Sequence, residues 1–264
     1  MPPTRIIGLM PAAGQATRLG PLPMSKELFP LGVQAGAGAK VACHVLLGAM
    51  QRAGITEALV ILRPGKWDIP GYLGDGSPLG MRLGYLTVHV PFGVPFSLNQ
   101  AYPFVREATV ALGFPDILFQ PQDAFAKLLA RQAAGGADVV LGLFPTDQPE
   151  KVGVVEFDQA GRVSAILEKS QRTDLKYMWA IAIWQPSFTE FLHQFIEVEL
   201  KRLIGSQVPQ TLKQFPPYTE IPIGDVIQAA IGAGLRVEAE VFAQGRYLDI
   251  GTPDNLKKAV SGYF

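Results

Sequence analysis

The chain has 264 residues, of which 48% are hydrophobic and 17% are charged, so it is long enough to bury a large core. Its 23 lysines and arginines balance 23 aspartates and glutamates. The chain therefore lacks the excess of positive charge that is typical of proteins that coat nucleic acid. The sequence has no transmembrane-length apolar run and no secretory signal pattern, and its single cysteine, Cys43, cannot form an internal disulfide. We therefore expect a cytoplasmic protein that binds neither membranes nor nucleic acid.

The first third of the chain predicts a strand, a loop, a helix and a second strand. Residues 5–11 (RIIGLMP) and 55–62 (ITEALVIL) are apolar runs, and residues 41–53 have apolar side chains at helical spacing. This order favours a βαβ crossover and a parallel sheet. The Pro- and Gly-rich residues 64–84 predict a long loop, of a length that is often functional.

The rest of the chain continues the alternation and adds one antiparallel pair. Residues 153–157 and 162–168 flank a turn-rich DQAG segment at 158–161 and predict a β-hairpin. Apolar patterns predict the remaining elements, with strands at 81–90, 109–119, 138–144, 181–184 and 236–242 and helices at 124–134, 186–204, 223–234 and 255–262. Since no repeat or linker is visible, we predict a single α/β domain over residues 1–264.

The segment at residues 11–30 (PAAGQATRLGPLPMSKELFP) follows the first strand and has the composition of a phosphate-binding loop. Residues 12–14 are small enough for backbone N–H groups to approach a ligand closely, and Arg18 and Lys26 add cations suited to phosphate oxygens. The loop lacks both the Gly-Lys-Ser/Thr ending of a Walker A loop and the G-x-G-x-x-G dinucleotide fingerprint. The alternative is a small-residue turn that only packs the strand against the next helix.

Histidine and cysteine do not point to another kind of chemistry. The three histidines, His44, His89 and His193, are far apart in the sequence and have no metal-ligand spacing. No Ser-His-Asp or Cys-His set is recognisable, and Cys43 lies in an apolar helical stretch, where a buried structural thiol is expected. Carboxylates, lysines, backbone amides and a hard cation therefore suit this sequence better.

Five segments in chain order resemble the signatures of the sugar-1-phosphate nucleotidyltransferases. The loop at 11–30 is similar to the family's Leu-Ala-Gly-Gly-x-Gly-Thr-Arg-Leu followed by Pro and Lys. The other segments are GDGS at 74–77, VGVVEFD with ILEK at 152–158 and 166–169, IPIGDVI at 221–227, and YLDIGTPDN at 247–255. The resemblance spans nearly the whole chain and points most directly to the glucose-1-phosphate thymidylyltransferases. It implies a single Rossmann-like domain, with a mixed, mostly parallel central sheet flanked by helices and a small antiparallel β element.

The resemblance also implies a reaction. An oxygen of a sugar 1-phosphate, here glucose 1-phosphate, attacks the α-phosphorus of a nucleoside triphosphate such as dTTP or UTP, and pyrophosphate leaves. By matching position, the expected catalytic residues are Arg18 on the β- and γ-phosphates, Lys26 at the α-phosphate and Lys169 on the sugar phosphate. Glu168 would bind sugar hydroxyls, and the backbone of Gly153 would contact the sugar. Such a displacement depends on positioning and charge neutralisation more than on acid–base groups.

The resemblance further implies nucleotide and metal sites. The implied nucleotide-binding residues are Ala12, Ala13, Gly14, Thr17, Arg18 and Ser97. Two carboxylates are expected to hold Mg²⁺, because a hard cation prefers oxygen ligands. Asp249 lies in the last motif, and Asp116 is placed by matching ALGFPDILF at 111–119 to the family's A-L-V-L-G-D-N-I-F. The alternatives are turn carboxylates for both aspartates and a solvated ion pair for Glu168 and Lys169.

Several positions depart from the family pattern, among them Pro115, Ile117 and Ser170, and four more bear on the loop and the substrates. Ala16 replaces the glycine before Thr-Arg, so a positive φ at this position would cost about 1 kcal/mol or more. Ser97 replaces a glycine of the segment that meets the base, while Trp179 and Ile181 stand where smaller residues line the sugar pocket. These departures leave the choice of base and sugar open.

Two alternatives therefore stand beside an active enzyme. The altered pocket positions also fit a catalytically impaired homologue that binds or senses a nucleotide or sugar phosphate. Trp179 equally fits transfer to another phosphate, such as a polyol or lipid-precursor phosphate. The retention of both expected metal carboxylates argues against a dead site. Family members are commonly oligomeric, so a homo-oligomer is an option, although the sequence has no recognisable interface pattern.

Overall fold

The structure is a computed structural model that describes residues 5–34, 38–90, 92–170, 172, 174–204 and 219–262. The strands in chain order are β1 Ile6–Pro11, β2 Pro30–Gln34, β3 Gly38–Val41, β4 Glu57–Leu62, β5 Arg82–Thr87, β6 Thr109–Gly113, β7 Ile117–Gln120, β8 Val139–Pro145, β9 Gly153–Phe157, β10 Val163–Glu168, β11 Tyr177–Trp184, β12 Val237–Val241 and β13 Arg246–Asp249. The helices are α1 Cys43–Arg52, α2 Asp68–Leu73, α3 Val94–Asn99, α4 Tyr102–Val105, α5 Ala124–Gly135, α6 Pro186–Ile204, α7 Ile223–Gly232 and α8 Pro253–Val260.

A nine-stranded mixed sheet forms the centre of the described structure. β1 pairs in parallel with β4 on one side and with β6 on the other, and β5 lies parallel to β4. β11 is antiparallel to β6 and β8, and β12 is parallel to β8. The chain runs outward from β1 to β4 and β5 and then returns to β6 on the other side of β1. The carboxyl ends of β1 and β6 therefore flank a switch point, where open α/β sheets usually bind ligands.

Smaller antiparallel elements extend this sheet. The predicted β9–β10 hairpin is present, and it meets β11 through the pair Val154 and Met178. β7 pairs with β13, and β2 pairs with β3, in two separate two-stranded sheets. The predicted fold class, a mixed central sheet flanked by helices with small antiparallel elements, is confirmed.

Apolar side chains pack helices against both faces of the sheet. On one face, Leu46 of α1 and Phe125 of α5 belong to the same buried cluster as the central strands. On the other face, Phe188 of α6 and Ile227 of α7 join a second buried cluster. β1, β6 and β8 are buried along nearly their whole length, which explains why they are continuous apolar runs in the sequence. Cys43 is fully buried, and burial raises the pKa of its thiol to about 12, as expected for a structural cysteine.

Some element boundaries differ from the prediction. The single strand predicted at 109–119 is two strands, β6 and β7, because the chain turns after Phe114, whose carbonyl accepts the N–H of Ile117. Pro115 in this turn has no N–H to continue a ladder. The loop predicted at 64–84 contains α2, a one-turn 3₁₀ helix at Ser77–Leu79 and the start of β5. Among the described helices, none combines the length and apolar character needed to cross a membrane.

Candidate active site

Loops that follow four neighbouring strands meet at the carboxyl edge of the sheet. The segments after β1, β4, β5 and β6 line a cavity of about 330 Å³. Its polar and charged lining comprises Gln15, Lys26, Glu27, Arg63, His89, Ser97, Asp116 and Glu220. The cavity therefore opens at the switch point of the sheet, and the predicted phosphate-binding loop forms part of its wall.

The backbone of this loop departs in part from the expected phosphate cradle. Ala12 donates its N–H to the carbonyl of Ile61 at 2.8 Å, which aligns the start of the loop with the end of β4. That amide is therefore not available to a phosphate. Ala13 and Gly14 line the cavity and remain as the candidate amides.

Two residues of the predicted site have left-handed backbone conformations. Ala16 has φ 55° and ψ 29° and precedes the one-turn 3₁₀ helix Thr17–Leu19, which contains Thr17 and Arg18. The position thus has a positive φ, which glycine adopts freely and which costs alanine about 1–2 kcal/mol. Lys169, directly after β10, has φ 50°. Strained residues of this kind cluster at functional sites, where the surrounding structure holds them.

Lys26 lies at the centre of the site. Its ammonium forms an ion pair and hydrogen bond with Asp116, and their side chains are only 12% and 16% exposed. A Cβ added to Gly14 would lie 3.9 Å from Lys26 Nζ, so the ammonium stands over the loop backbone. Burial would lower the pKa of Lys26, but the carboxylates of Asp116, Glu27 and Asp249 outweigh it and raise the pKa. Lys26 is therefore positively charged at neutral pH.

A buried ion pair fastens the Lys26 segment to the chain that follows β4. Lys66 Nζ donates to the two Glu27 oxygens at 2.7 and 2.8 Å, and the side chains are 7% and 1% exposed. Burial raises the pKa of Glu27 and lowers the pKa of Lys66, so each charge depends on its partner. Ser25 is fixed as well, because its N–H and hydroxyl donate to Asp68 at 2.6 and 2.7 Å.

The two predicted metal ligands lie on neighbouring chain segments. β7 and β13 pair so that Asp249 is opposite Ile117, and the N–H of Ile250 donates to the carbonyl of Asp116 at 2.9 Å. Arg18 Nη2 lies 3.4 Å from an oxygen of Asp249. The structure thus brings both carboxylates together with the two predicted triphosphate cations.

Gly251 leaves the space that this arrangement needs. A Cβ at this position would lie 2.6 Å from Arg18 Nη2 and 2.8 Å from an oxygen of Asp249. The N–H of Gly251 also donates to that carboxylate at 2.7 Å. The glycine of the last motif therefore lets the Arg18 guanidinium approach the carboxylate.

The predicted sugar residues meet at the open end of the β9–β10 hairpin. Glu168 pairs in register with Gly153, and a Cβ on Gly153 would lie 2.7 Å from a Glu168 oxygen and 3.0 Å from Trp179 Nε1. Burial and the nearby carboxylate of Asp225 raise the pKa of Glu168, although Lys169 acts in the opposite direction. Glu168 is thus a half-buried acceptor beside an indole N–H, whereas Lys169 is exposed.

The two departures on β11 have different outcomes. Trp179 is 6% exposed, and its ring centroid lies 6.0 Å from that of Phe114, which lines the cavity. Trp179 therefore lies between the predicted sugar residue Gly153 and the cavity residue Phe114. Ile181 is fully buried in the cluster on the opposite face of the sheet and packs over Gly142. The expectation that Ile181 lines the sugar pocket is therefore wrong.

Part of the cavity lining was not predicted from the sequence. Ser97, a predicted nucleotide-binding residue, is buried in α3 and lines the same cavity as Lys26. Arg63, Phe114 and Glu220 line the cavity too, and none of them was singled out. Arg63 and Phe114 directly follow buried strands, and this position marks a residue for the ligand-binding edge. Glu220 directly precedes the IPIGDVI segment at 221–227, and that motif is the signal that could have identified it.

Comparison with known proteins gives matches over most of the chain. The nucleotidyl transferase family model matches residues 7–263. The glucose-1-phosphate thymidylyltransferase of Neisseria gonorrhoeae is 28% identical over 260 residues, which cover 96% of this chain and 81% of the relative. The enzyme of the same name from Actinoplanes sp. is 30% identical over 261 residues, which cover 96% of this chain and 76% of the relative.

Two less similar proteins also match over most of the chain. A low-salt glycan biosynthesis nucleotidyltransferase of Haloferax volcanii is 23% identical over 257 residues, covering 96% of this chain and 64% of the relative. A crystal structure of a Bacillus anthracis protein assigned as a glucose-1-phosphate thymidylyltransferase shares the fold, with a TM-score of 0.77 at 18% identity and coverage of 97% and 94% of the two chains. Because the family match spans nearly the whole chain, whose motif residues gather at one edge of the sheet, the protein belongs to the nucleotidyl transferase family of enzymes.

Proposed function

We propose that the protein joins a nucleoside triphosphate, dTTP or UTP, to glucose 1-phosphate and releases pyrophosphate. The observation that carries the proposal is a pair of linked contacts. Lys26 and Asp116 form an ion pair in the cavity wall, and the hydrogen bond from Ile250 to Asp116 places the Arg18–Asp249 pair beside them. Two of the relatives described above are named glucose-1-phosphate thymidylyltransferases, which supports these substrates as the first to test.

The proposed reaction is a single displacement at phosphorus. A phosphate oxygen of the sugar 1-phosphate forms a bond to the α-phosphorus, and the bond from that phosphorus to the oxygen bridging to the β-phosphate breaks. The attacking oxygen is already anionic, so no general base is required. The barrier therefore depends on in-line positioning and on neutralising the charge of two phosphorylated substrates.

The cations of the loop supply that neutralisation. Lys26 keeps its positive charge because the surrounding carboxylates raise its pKa, and it would turn from Asp116 toward the α-phosphate. Arg18 would bind the β- and γ-phosphates, and the amides of Ala13 and Gly14 would donate to phosphate oxygens. Ser97, on the far wall of the cavity, would contact the nucleoside.

Asp116 and Asp249 have the donor chemistry for a divalent metal. Carboxylate oxygens suit Mg²⁺, which typically binds one or two carboxylates together with substrate phosphates. Within the described residues no group of three or more His, Cys, Asp or Glu forms around them, so phosphate and water oxygens would complete the coordination. A bound Mg²⁺ would supply positive charge at the α-phosphate.

The proposed sugar-binding residues lie at the open end of the β9–β10 hairpin, where Trp179 departs from the family pattern. Glu168 would accept hydrogen bonds from sugar hydroxyls, the backbone of Gly153 would contact the sugar, and Lys169 would bind the sugar phosphate. The buried Trp179 beside Gly153 favours, as a second candidate, transfer to a slimmer phosphate such as a polyol phosphate. The same position would also be altered in a homologue that binds substrates without turnover.

A pyrophosphate-release assay tests the proposal. The four common nucleoside triphosphates are combined with glucose 1-phosphate, other hexose 1-phosphates and a polyol phosphate, each with Mg²⁺. Release that requires glucose 1-phosphate and either dTTP or UTP is expected. Release only with the polyol phosphate would favour the second candidate. Calorimetric binding of triphosphate without any release would instead identify a binding or regulatory protein.

A further inference from the structure

Arg63 lies between two cavities at the carboxyl edge of the sheet. It directly follows β4, the parallel neighbour of β1. It lines the 330 Å³ cavity together with Lys26 and Asp116. It also lines a second cavity of about 460 Å³, whose wall includes residues 15–16 and 20–26 of the phosphate-binding loop, Lys66 and Asp68. The Asp68 carboxylate already accepts from Ser25. Arg63 therefore borders both the proposed reaction centre and the space beyond it.

Among the lysines and arginines that line these cavities, Arg63 differs in having no carboxylate partner within the described residues. Lys26 is paired with Asp116, and Lys66 donates to both oxygens of Glu27. Arg63 Nε is buried and has no hydrogen-bond partner among the described groups. Arg63 also repels Lys66 and contributes to lowering the pKa of that lysine. A buried donor without an acceptor is unfavourable, so the position is suited to an incoming anion.

We infer that Arg63 is a second phosphate-binding arginine, which binds the terminal phosphates of the triphosphate and then the leaving pyrophosphate. The inference rests on the proposed function. If the α-phosphate lies at Lys26, the β- and γ-phosphates can extend into the second cavity, along the same loop that contains Arg18. The planar guanidinium offers two parallel N–H donors, which match phosphate oxygens better than a lysine ammonium does.

The inference is tested by calorimetric titration of the protein with inorganic pyrophosphate and Mg²⁺, with no nucleotide or sugar present. Arg63→Gln removes the charge and also the repulsion of Lys66, so the fold should persist, and thermal unfolding checks this. We expect the Kd for pyrophosphate to rise at least tenfold in Arg63→Gln and at least threefold in Arg63→Lys, which keeps the charge but loses the fork.

Arg52→Gln is the matched control. Arg52 ends α1 ahead of β4, whereas Arg63 follows β4, so the two arginines lie at opposite edges of the sheet. The control should bind pyrophosphate within twofold of the wild type. Wild-type protein that does not bind pyrophosphate, or a folded Arg63→Gln variant within twofold of the wild type, would overturn the inference. If Arg63→Gln unfolds, Arg63→Lys decides in its place, and unchanged affinity overturns the inference.

Steady-state kinetics separates this inference from the proposed function. In an active enzyme, Arg63→Gln should raise the KM for the triphosphate at least tenfold and leave the KM for the sugar 1-phosphate within twofold. Pyrophosphate binding that depends on Arg63 without any turnover would retain the inference and reject the proposed function. Turnover that Arg63→Gln leaves unchanged would retain the proposed function and reject the inference about Arg63.

Discussion

At the level of single residues, Lys26 is expected to stabilise the charge that develops around the α-phosphate during the reaction. Its ammonium is nearly buried, charged and aimed at the cavity beside Asp116. Lys26→Gln should therefore lower kcat by about 10²- to 10³-fold, the usual effect of removing one preorganised charge-stabilising donor. Lys258→Gln, an exposed change on α8, is the control and should keep wild-type kcat. A Lys26→Gln variant within tenfold of the wild type would exclude this role.

Glu168 gives a pH dependence whose sign follows from its surroundings. Burial and Asp225 raise the pKa of this carboxyl above its ordinary value of 4.5. As the pH falls through the raised pKa, Glu168 becomes protonated and no longer accepts from sugar hydroxyls as a carboxylate. The KM for the sugar 1-phosphate should therefore rise on acidification, beginning above pH 4.5. Measuring KM between pH 8 and pH 5 tests this expectation.

The variant Glu168→Gln separates binding from stability. It should raise the KM for the sugar 1-phosphate about tenfold at pH 7 and abolish the acid-dependent rise, because a charge-assisted hydrogen bond is lost. Since a raised folded-state pKa means that the buried charge costs stability above the unfolded pKa, the variant should also unfold at a higher temperature at pH 7. A lower unfolding temperature with unchanged KM would contradict both expectations.

At the scale of elements, the buried Glu27–Lys66 pair couples the phosphate-binding loop to the segment after β4. Glu27→Gln leaves the Lys66 ammonium buried without its partner and should lower the free energy of unfolding by about 3 kcal/mol. The double variant Glu27→Met, Lys66→Met removes both charges and should recover most of that loss. Urea denaturation of Glu27→Met, Lys66→Met and the double variant measures the coupling, and a double-variant loss equal to the sum of the two single losses would show that none exists.

The phosphate-binding loop also stores strain at Ala16. Its positive φ costs alanine about 1–2 kcal/mol, while glycine would increase the entropy of the unfolded chain by about 0.4–1 kcal/mol. Ala16→Gly should therefore stabilise the protein by about 0.5–1 kcal/mol in urea denaturation. Ala133→Gly, in the ordinary helical backbone of α5, is the matched control and should destabilise by a similar amount. Destabilisation by both changes would show that the Ala16 conformation is not strained.

The elements that could be predicted from the sequence are those whose stability is visible locally. β1, β4 and β8 are continuous apolar runs, and α1, α5 and α6 have a clear helical period. β2, β3 and β13 were missed because they are short, and because their order depends on pairing with distant segments. The wrong prediction that Ile181 of β11 lines the sugar pocket has a definite cause. A register shift lies between Trp179 and Ile181, so residues two apart face opposite sides of the sheet, and the alternation rule fails there.

At the scale of the whole molecule, the sequence motifs identified residues that the fold then brings together. Arg18 and Asp249 are separated by 231 positions, and Lys26 and Asp116 by 90. The resemblance predicted these four side chains, but it did not predict their contacts. Nor did it indicate Arg63 or the Glu27–Lys66 pair, because the placement of a charge beside a distant partner depends on tertiary packing alone. The switch point between β1 and β6 is the place in the fold around which these residues gather.

We propose that this edge of the sheet catalyses metal-assisted nucleotidyl transfer to a sugar 1-phosphate. Pyrophosphate release from dTTP, or from UTP, and glucose 1-phosphate with Mg²⁺ tests this for the wild type, Asp116→Asn and Asp249→Asn. We predict release that requires both substrates and falls at least about 100-fold in each variant, since each change removes a proposed metal ligand. Equal release by all three proteins, or no release by the wild type with any common triphosphate and hexose 1-phosphate, would contradict the claim.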